Sequence, residues 1–191
     1  MSELVLILML LPLIGCLFVL SAPDAKNNAY HVSLFTLITG IVIILRLFSL
    51  LDIEASSLSF NFSYQWLENF KFDLYFGLDA FSLLLILAVY LSLIIGMSGL
   101  NESTRKNKML LVLTLCFTSN ITSFLSAGDL MSFYVFFASM LLPLFMLVGA
   151  YGNAKKIQTL YRFFLYNFMG ILFLLLAALL LYKFYQGNVH L

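Results

Sequence analysis

The chain has 191 residues, 63% of them hydrophobic and only 10% charged, where an ordinary soluble domain carries roughly 25% charged residues. Its mean hydropathy is +1.05, and its 20 phenylalanines extend the apolar excess along the whole sequence rather than confining it to one anchor. Lys and Arg number 10 against 9 Asp and Glu, and no basic run is long enough to follow a phosphate backbone, which excludes nucleic-acid binding.

These values predict an all-α polytopic membrane protein with the lipid bilayer as its main solvent. A helix needs about 20 apolar residues to cross a hydrocarbon core of roughly 30 Å. Six stretches reach that length, at 4–21, 32–51, 80–100, 109–127, 130–148 and 160–182, and together they form a single membrane domain, 1–191. The first is followed by Ser21, Ala22 and Pro23, which resemble a cleavage region. However, Glu3 precedes it without any Lys or Arg, and the apolar run exceeds a signal-peptide core, so it is read as a retained helix.

The second stretch carries Arg46 five residues before its end, where the long side chain can snorkel to the interface. The loop 52–79 follows. Within it Phe60, Phe62, Tyr64 and Trp66 alternate with Asn61, Ser63 and Gln65, and after Leu67, Glu68 and Asn69 a second alternation sets Phe70, Phe72 and Leu74 against Lys71 and Asp73. A period of two predicts a short outer β-hairpin after helix 2; the alternative is an amphipathic aromatic loop lying among the headgroups.

Asp79 opens the third helix and Asp129 the fifth, where a carboxylate can cap free N–H groups and complement the helix dipole. Only Gly128 and Asp129 separate the fourth helix from the fifth. Pro143 inside the fifth removes a backbone hydrogen bond and predicts a kink. Lys183 ends the sixth as an interfacial anchor.

Charged groups are nearly absent from the interiors, which hold neutral polar residues: Ser92, Thr114, Thr118, Ser119, Asn120, Ser132, Ser139 and Asn167. Of these, Asn120, Ser139 and Asn167 are candidates either for a polar path or for helix packing. Cys16 and Cys116 sit singly in apolar runs and read as small buried thiols rather than metal ligands. Gly-rich phosphate loops and zinc-protease motifs are missing, and His31 and His190 read as loop residues without a partner motif, so no cofactor-binding or metal-binding residue is assigned.

Basic residues flanking short loops set orientation. Lys26, Arg105, Lys106, Lys108, Lys155, Lys156 and Arg162 collect on one side against Arg46, Lys71 and Lys183 on the other. The first side is therefore expected to face the cytoplasm, or the matrix of a mitochondrion, with both termini outside.

Three strings carry a resemblance. Phe76-Gly77-Leu78-Asp79-Ala80-Phe81-Ser82-Leu83-Leu84 resembles the "FGLDGLSLLL" start of the third helix in the antiporter-like subunits of NADH:quinone oxidoreductase, or complex I, of the M chain or mitochondrial subunit 4 type. The run from Asp129 through Phe133, Tyr134, Phe136, Phe137, Leu141, Leu142 and Pro143 is similar to that family's fifth helix, and Tyr161-Arg162-Phe163-Phe164-Leu165-Tyr166 to the start of its sixth.

The resemblance implies a membrane-arm subunit of the respiratory chain, in a bacterial plasma membrane or a mitochondrial inner membrane. It also implies neighbouring membrane-arm subunits as partners, and a share in proton transport driven by quinone reduction elsewhere. NADH and quinone are used by other chains of such a complex, and none is bound here. Two departures matter. The family's fifth-helix glutamate falls at Ala138, five residues before Pro143, and the chain stops before the helices that hold the family's essential lysines. Catalytic residues are therefore assigned to none of its positions.

A truncated relative of this kind is expected to need partner chains for any proton transport. Either a second chain supplies the rest, or this is a shortened, duplicated relative retained for assembly or structure, or a decayed fragment. Rivals are a subunit of a multisubunit cation/proton antiporter or membrane-bound hydrogenase, and a non-transporting assembly or scaffold protein.

Overall fold

Leucine, isoleucine and phenylalanine runs leave the backbone no water to bond in lipid, so each run must close its own N–H to C=O ladder as a helix. The computed structural model describes residues 2–23, 27–51, 59–67, 72–152 and 156–187. In chain order it contains α1 (Ser2–Ser21), α2 (Asn28–Leu50), β1 (Ser59–Leu67), β2 (Phe72–Leu78), α3 (Ala80–Ser98), the short α4 (Glu102–Arg105), α5 (Lys108–Leu125), α6 (Leu130–Tyr151) and α7 (Lys156–Gly187). Among the described residues, six helices, all but α4, are long and apolar enough to cross a membrane. The fold is that of an all-α polytopic membrane protein carrying one small hairpin.

Helix α5 holds the centre, packing against α1, α2, α3 and α6, while α7 lies along α6. Leu8, Leu37, Ile44, Leu83, Ile86, Leu111 and Leu115 are fully buried between the first four long helices. Small residues permit the close crossings. The ring of Tyr90 on α3 packs against Gly40 of α2, where a methyl group would collide with it, and a methyl on Gly15 of α1 would come within 2.7 Å of the Thr36 side chain of α2.

Burial then falls away along the chain. Helix α6 buries only Ser132 and Pro143, and among the described side chains of α7 only Ile171 is buried.

The hairpin pairs β1 with β2 antiparallel, setting Phe62 opposite Phe76 and Tyr64 opposite Leu74, with irregularities at each end. The first strand contains the alternating aromatic run. The second is described over Phe72–Leu78, the Phe70 and Lys71 of the expected alternation lying outside the described residues, and its far half pairs again with the α5–α6 turn. There Gly77 donates to the Ser126 carbonyl at 2.9 Å, and Gly128 donates to that of Tyr75 at 2.8 Å.

Some local expectations change. His31, expected in a loop, stands in the first turn of α2, because the helix starts at Asn28 and not at Val32. Pro12 lies inside α1 in addition to Pro143 inside α6. Arg46 on α2 and Lys183 on α7 are both exposed. Lys26, Asp52, Glu54, Glu68, Lys71, Lys155 and His190 lie outside the described residues.

Candidate functional site

Hydroxyl side chains recur along α5 and its C-cap at a spacing of four: Thr114, Thr118, Thr122 and Ser126. One helical turn is 3.6 residues, so this spacing places them on one face. Each donates back to the carbonyl four residues earlier, at 2.7–2.8 Å. All four are buried. A polar thread some 18 Å long, at about 1.5 Å per residue, therefore runs through the centre of the bundle.

A second thread stands beside it. Ser119 donates across to the Met9 carbonyl of α1 at 2.7 Å, and Ser123 donates to the Ser119 carbonyl at 3.0 Å. The hydroxyl of Tyr90, buried on α3, lies beside Thr122 without completing a hydrogen bond. These bonds satisfy the hydroxyl donors and leave oxygen lone pairs as the free polar capacity.

Between α5 and α6 the candidate residues meet. The Ser139 hydroxyl donates to the amide oxygen of Asn120 and shares its proton with the Phe136 carbonyl at 3.2 Å, while the Asn120 amide donates to the Cys116 carbonyl at 2.8 Å. Asn167 is not drawn into this pair; its amide donates to Phe163 within α7 at 2.8 Å. Ala138, half-buried, precedes Ser139, and Pro143 is buried one turn further on.

One turn before Asn120, the sulfur of Cys116 approaches that of Cys16 on α1 to 3.6 Å. Among the described residues, no three His, Cys, Asp or Glu side chains gather in a way that could hold a metal ion.

Two carboxylates mark one end of the bundle. Asp79 precedes α3, and its oxygen accepts the Ser82 N–H at 2.8 Å. Hydrogen bonding from Ser82 holds its pKa below the ordinary value of 3.8, against a smaller opposing effect of burial. Asp129 precedes α6, accepts the N–H groups of Met131 and Ser132 at 3.0 Å each, and also receives the Ser132 hydroxyl.

Chemically, the α5–α6 interior is polar but neutral. Its hydroxyls and amide can bond water or a neighbouring helix, but none of them exchanges a proton near neutral pH, and Ala138 adds nothing that could. The i, i+4 rhythm that adds Thr122 and Ser126 to the first thread and Ser123 to the second is present in the sequence, although each of these residues alone is only a hydroxyl in an apolar run.

Residues 127–191 match the family described as NADH:quinone oxidoreductase/Mrp antiporter, TM. Over 181 residues, 92% of its length, the chain is 34% identical to NADH-ubiquinone oxidoreductase chain 4 of Marchantia polymorpha and covers 36% of that protein. It is 29% identical, over 91% of its length, to NADH-quinone oxidoreductase subunit M of Rickettsia typhi, of which it covers 37%. A chain of respiratory complex I from Thermus thermophilus with bound NADH superposes with a TM-score of 0.73 at 25% identity, covering 88% of this chain and 33% of that one. The chain spans about a third of the length of the curated relatives it matches. Across nine-tenths of its own length, this chain is thus similar to subunit M and chain 4 of NADH:quinone oxidoreductases.

Proposed function

We propose that the chain serves as a membrane-arm subunit of the proton-translocating, antiporter-like kind, working inside an assembly whose other chains supply the ionisable groups that move protons. The observation that supports this reading is the α5–α6 interior, polar through Asn120 and Ser139 yet neutral, with Ala138 where the sequence resemblance sets the family's glutamate. The open faces of α6 and α7 support it, since few of their side chains are covered by the rest of the chain. In this reading the partners are other membrane-arm subunits. NADH and quinone react elsewhere in the complex, and the setting is a bacterial plasma membrane or mitochondrial inner membrane with both termini on the outer side.

A second reading has a specific observation behind it. The matched family description names Mrp antiporters beside NADH:quinone oxidoreductase, so a subunit of a multisubunit cation/proton antiporter fits the same residues.

Capture of a tagged chain from membranes in mild detergent, with its companions identified by mass spectrometry, tests both. Redox subunits in near-equal amounts support the complex I reading, and antiporter chains without redox subunits support the second. Recovery of the chain alone would leave a scaffold role as the better account.

A further inference from the structure

The chain has two cysteines, and the fold brings them together from positions 100 residues apart. Cys16 of α1 reaches between two successive turns of α5. Its thiol donates to the Val112 carbonyl at 3.5 Å, and its sulfur lies 3.6 Å from that of Cys116. Both are free thiols; Cys16 is buried and Cys116 half-buried, which leaves the pair open on the Cys116 side. Both stand within helices long and apolar enough to cross a membrane, so hydrocarbon surrounds them.

Two thiols in contact form a chelate, and their separation limits what they can grip. With bonds of about 2.3 Å, the length of a zinc–thiolate bond, sulfurs 3.6 Å apart subtend an angle of about 100° at a shared atom. A linear two-coordinate ion such as mercury(II) would need them about 4.6 Å apart at the same bond length. Zinc accepts the angle but takes four protein ligands in a closed site. Among the described residues, no third His, Cys, Asp or Glu gathers with this pair. Trivalent arsenic forms three bonds in a pyramid with angles close to the one found here. Two thiols and one substituent of its own complete it.

Charge narrows the choice in the same direction. Copper(I), which thiolates also favour, would keep a net negative charge on two of them, and charge within hydrocarbon is costly. Arsenic bonded to two sulfurs and one organic group is neutral.

We infer that Cys16 and Cys116 form a dithiol site for neutral trivalent arsenicals, which staple α1 to α5. With an organic arsenoxide, two As–S bonds form as the As=O bond breaks, and the two thiol protons leave with its oxygen as water. Arsenic stays trivalent and the sulfurs stay reduced, so the step needs no oxidant. The site rests on the α1–α5 contact alone and is independent of which assembly the chain joins.

The test uses the full chain in lipid nanodiscs with phenylarsine oxide as the probe, read by mass spectrometry of the intact protein. One arsenic per chain is expected, stable to a monothiol wash and removed by a dithiol. Cys16→Ser and Cys116→Ser are each expected to weaken binding about a hundredfold or more, because two-point attachment is lost.

A second measurement needs no substitution. The treated, unaltered chain is denatured and exposed to a maleimide, and both cysteines are expected to be protected together. Absence of an adduct, its removal by a monothiol, or protection of Cys116 alone overturns the proposal. Unchanged binding in a folded single-serine variant does so too, as does an arsenic bridge between two chains.

Discussion

The Asp129 carboxylate accepts the backbone N–H of Tyr75, 54 residues earlier in the chain, at 3.0 Å. Its other oxygen accepts the first free N–H groups of α6. One side chain therefore caps a transmembrane helix and fixes the second hairpin strand to the turn that precedes it. Asp129→Ala is expected to cost about 1–2 kcal/mol for the lost cap. A further cost of about 1 kcal/mol is expected from the Tyr75 hydrogen bond. Thermal unfolding in detergent measures the sum. Hydrogen exchange separates the parts: protection should fall at Tyr75 as well as at Met131 and Ser132, and loss confined to α6 would show that the hairpin does not lean on this carboxylate.

Asp79 makes the simpler cap, and its lowered pKa gives it a pH signature. The folded state favours the charged form, so the contribution is fully present above the ordinary value of 3.8 and disappears as pH falls through the lower folded value. Titration of stability from pH 6 downward, by roughly one pH unit at a time around that range, should show a loss that Asp79→Asn flattens. An identical acid profile in the variant would assign the loss to other carboxylates.

The six long helices and the hairpin after α2 were legible because lipid imposes its constraint directly on sequence: apolar length for helices, a period of two for strands. Where the chain bends back on itself, local pattern carries less. The second strand extends to Leu78 because Gly77 and Tyr75 bond the distant turn at Ser126 and Gly128, partners that no window around Phe70 contains. Likewise Asn120, Ser139 and Asn167 are equivalent as single polar residues in apolar runs. Only packing sorts them, joining the first two across α5 and α6 and leaving the third bonded within α7.

The Tyr90 ring occupies the space that a side chain on Gly40 would need. Gly40→Ala is therefore expected to destabilise the α2–α3 contact by about 1–3 kcal/mol, despite the helix preference of alanine. Tyr90→Leu should relieve part of that penalty, so the two substitutions together should cost less than their sum. Additive losses would mean that α2 and α3 adjust their spacing freely.

Cys16 and Cys116 bring α1 and α5 into sulfur contact at 3.6 Å. Oxidation of membranes with iodine, which partitions into lipid, is expected to join them with loss of two thiol protons and reduction of iodine to iodide. Trypsin cleavage after Arg105 or Lys106 would then leave the two fragments linked until a reductant is added. Cys16→Ser should abolish the link, and free fragments from the oxidised unaltered chain would contradict the α1–α5 packing.

Ala138 offers the most direct separation of transport from scaffolding. It precedes Ser139, whose hydroxyl is turned to Asn120, and stands half-buried about 100° around α6 from it. An ionised side chain at the bilayer centre costs a few kcal/mol, which favours the protonated form and a carboxyl able to take up and release a proton. Ala138→Glu in membranes that contain the whole assembly is expected to increase proton movement into closed vesicles during turnover. Ala138→Gln, equal in size but unable to hold a proton, should leave it unchanged. If the glutamate and glutamine variants behave alike while the assembly stays intact, position 138 is not on a proton route, and the neutral interior of α5 and α6 serves to hold helices together.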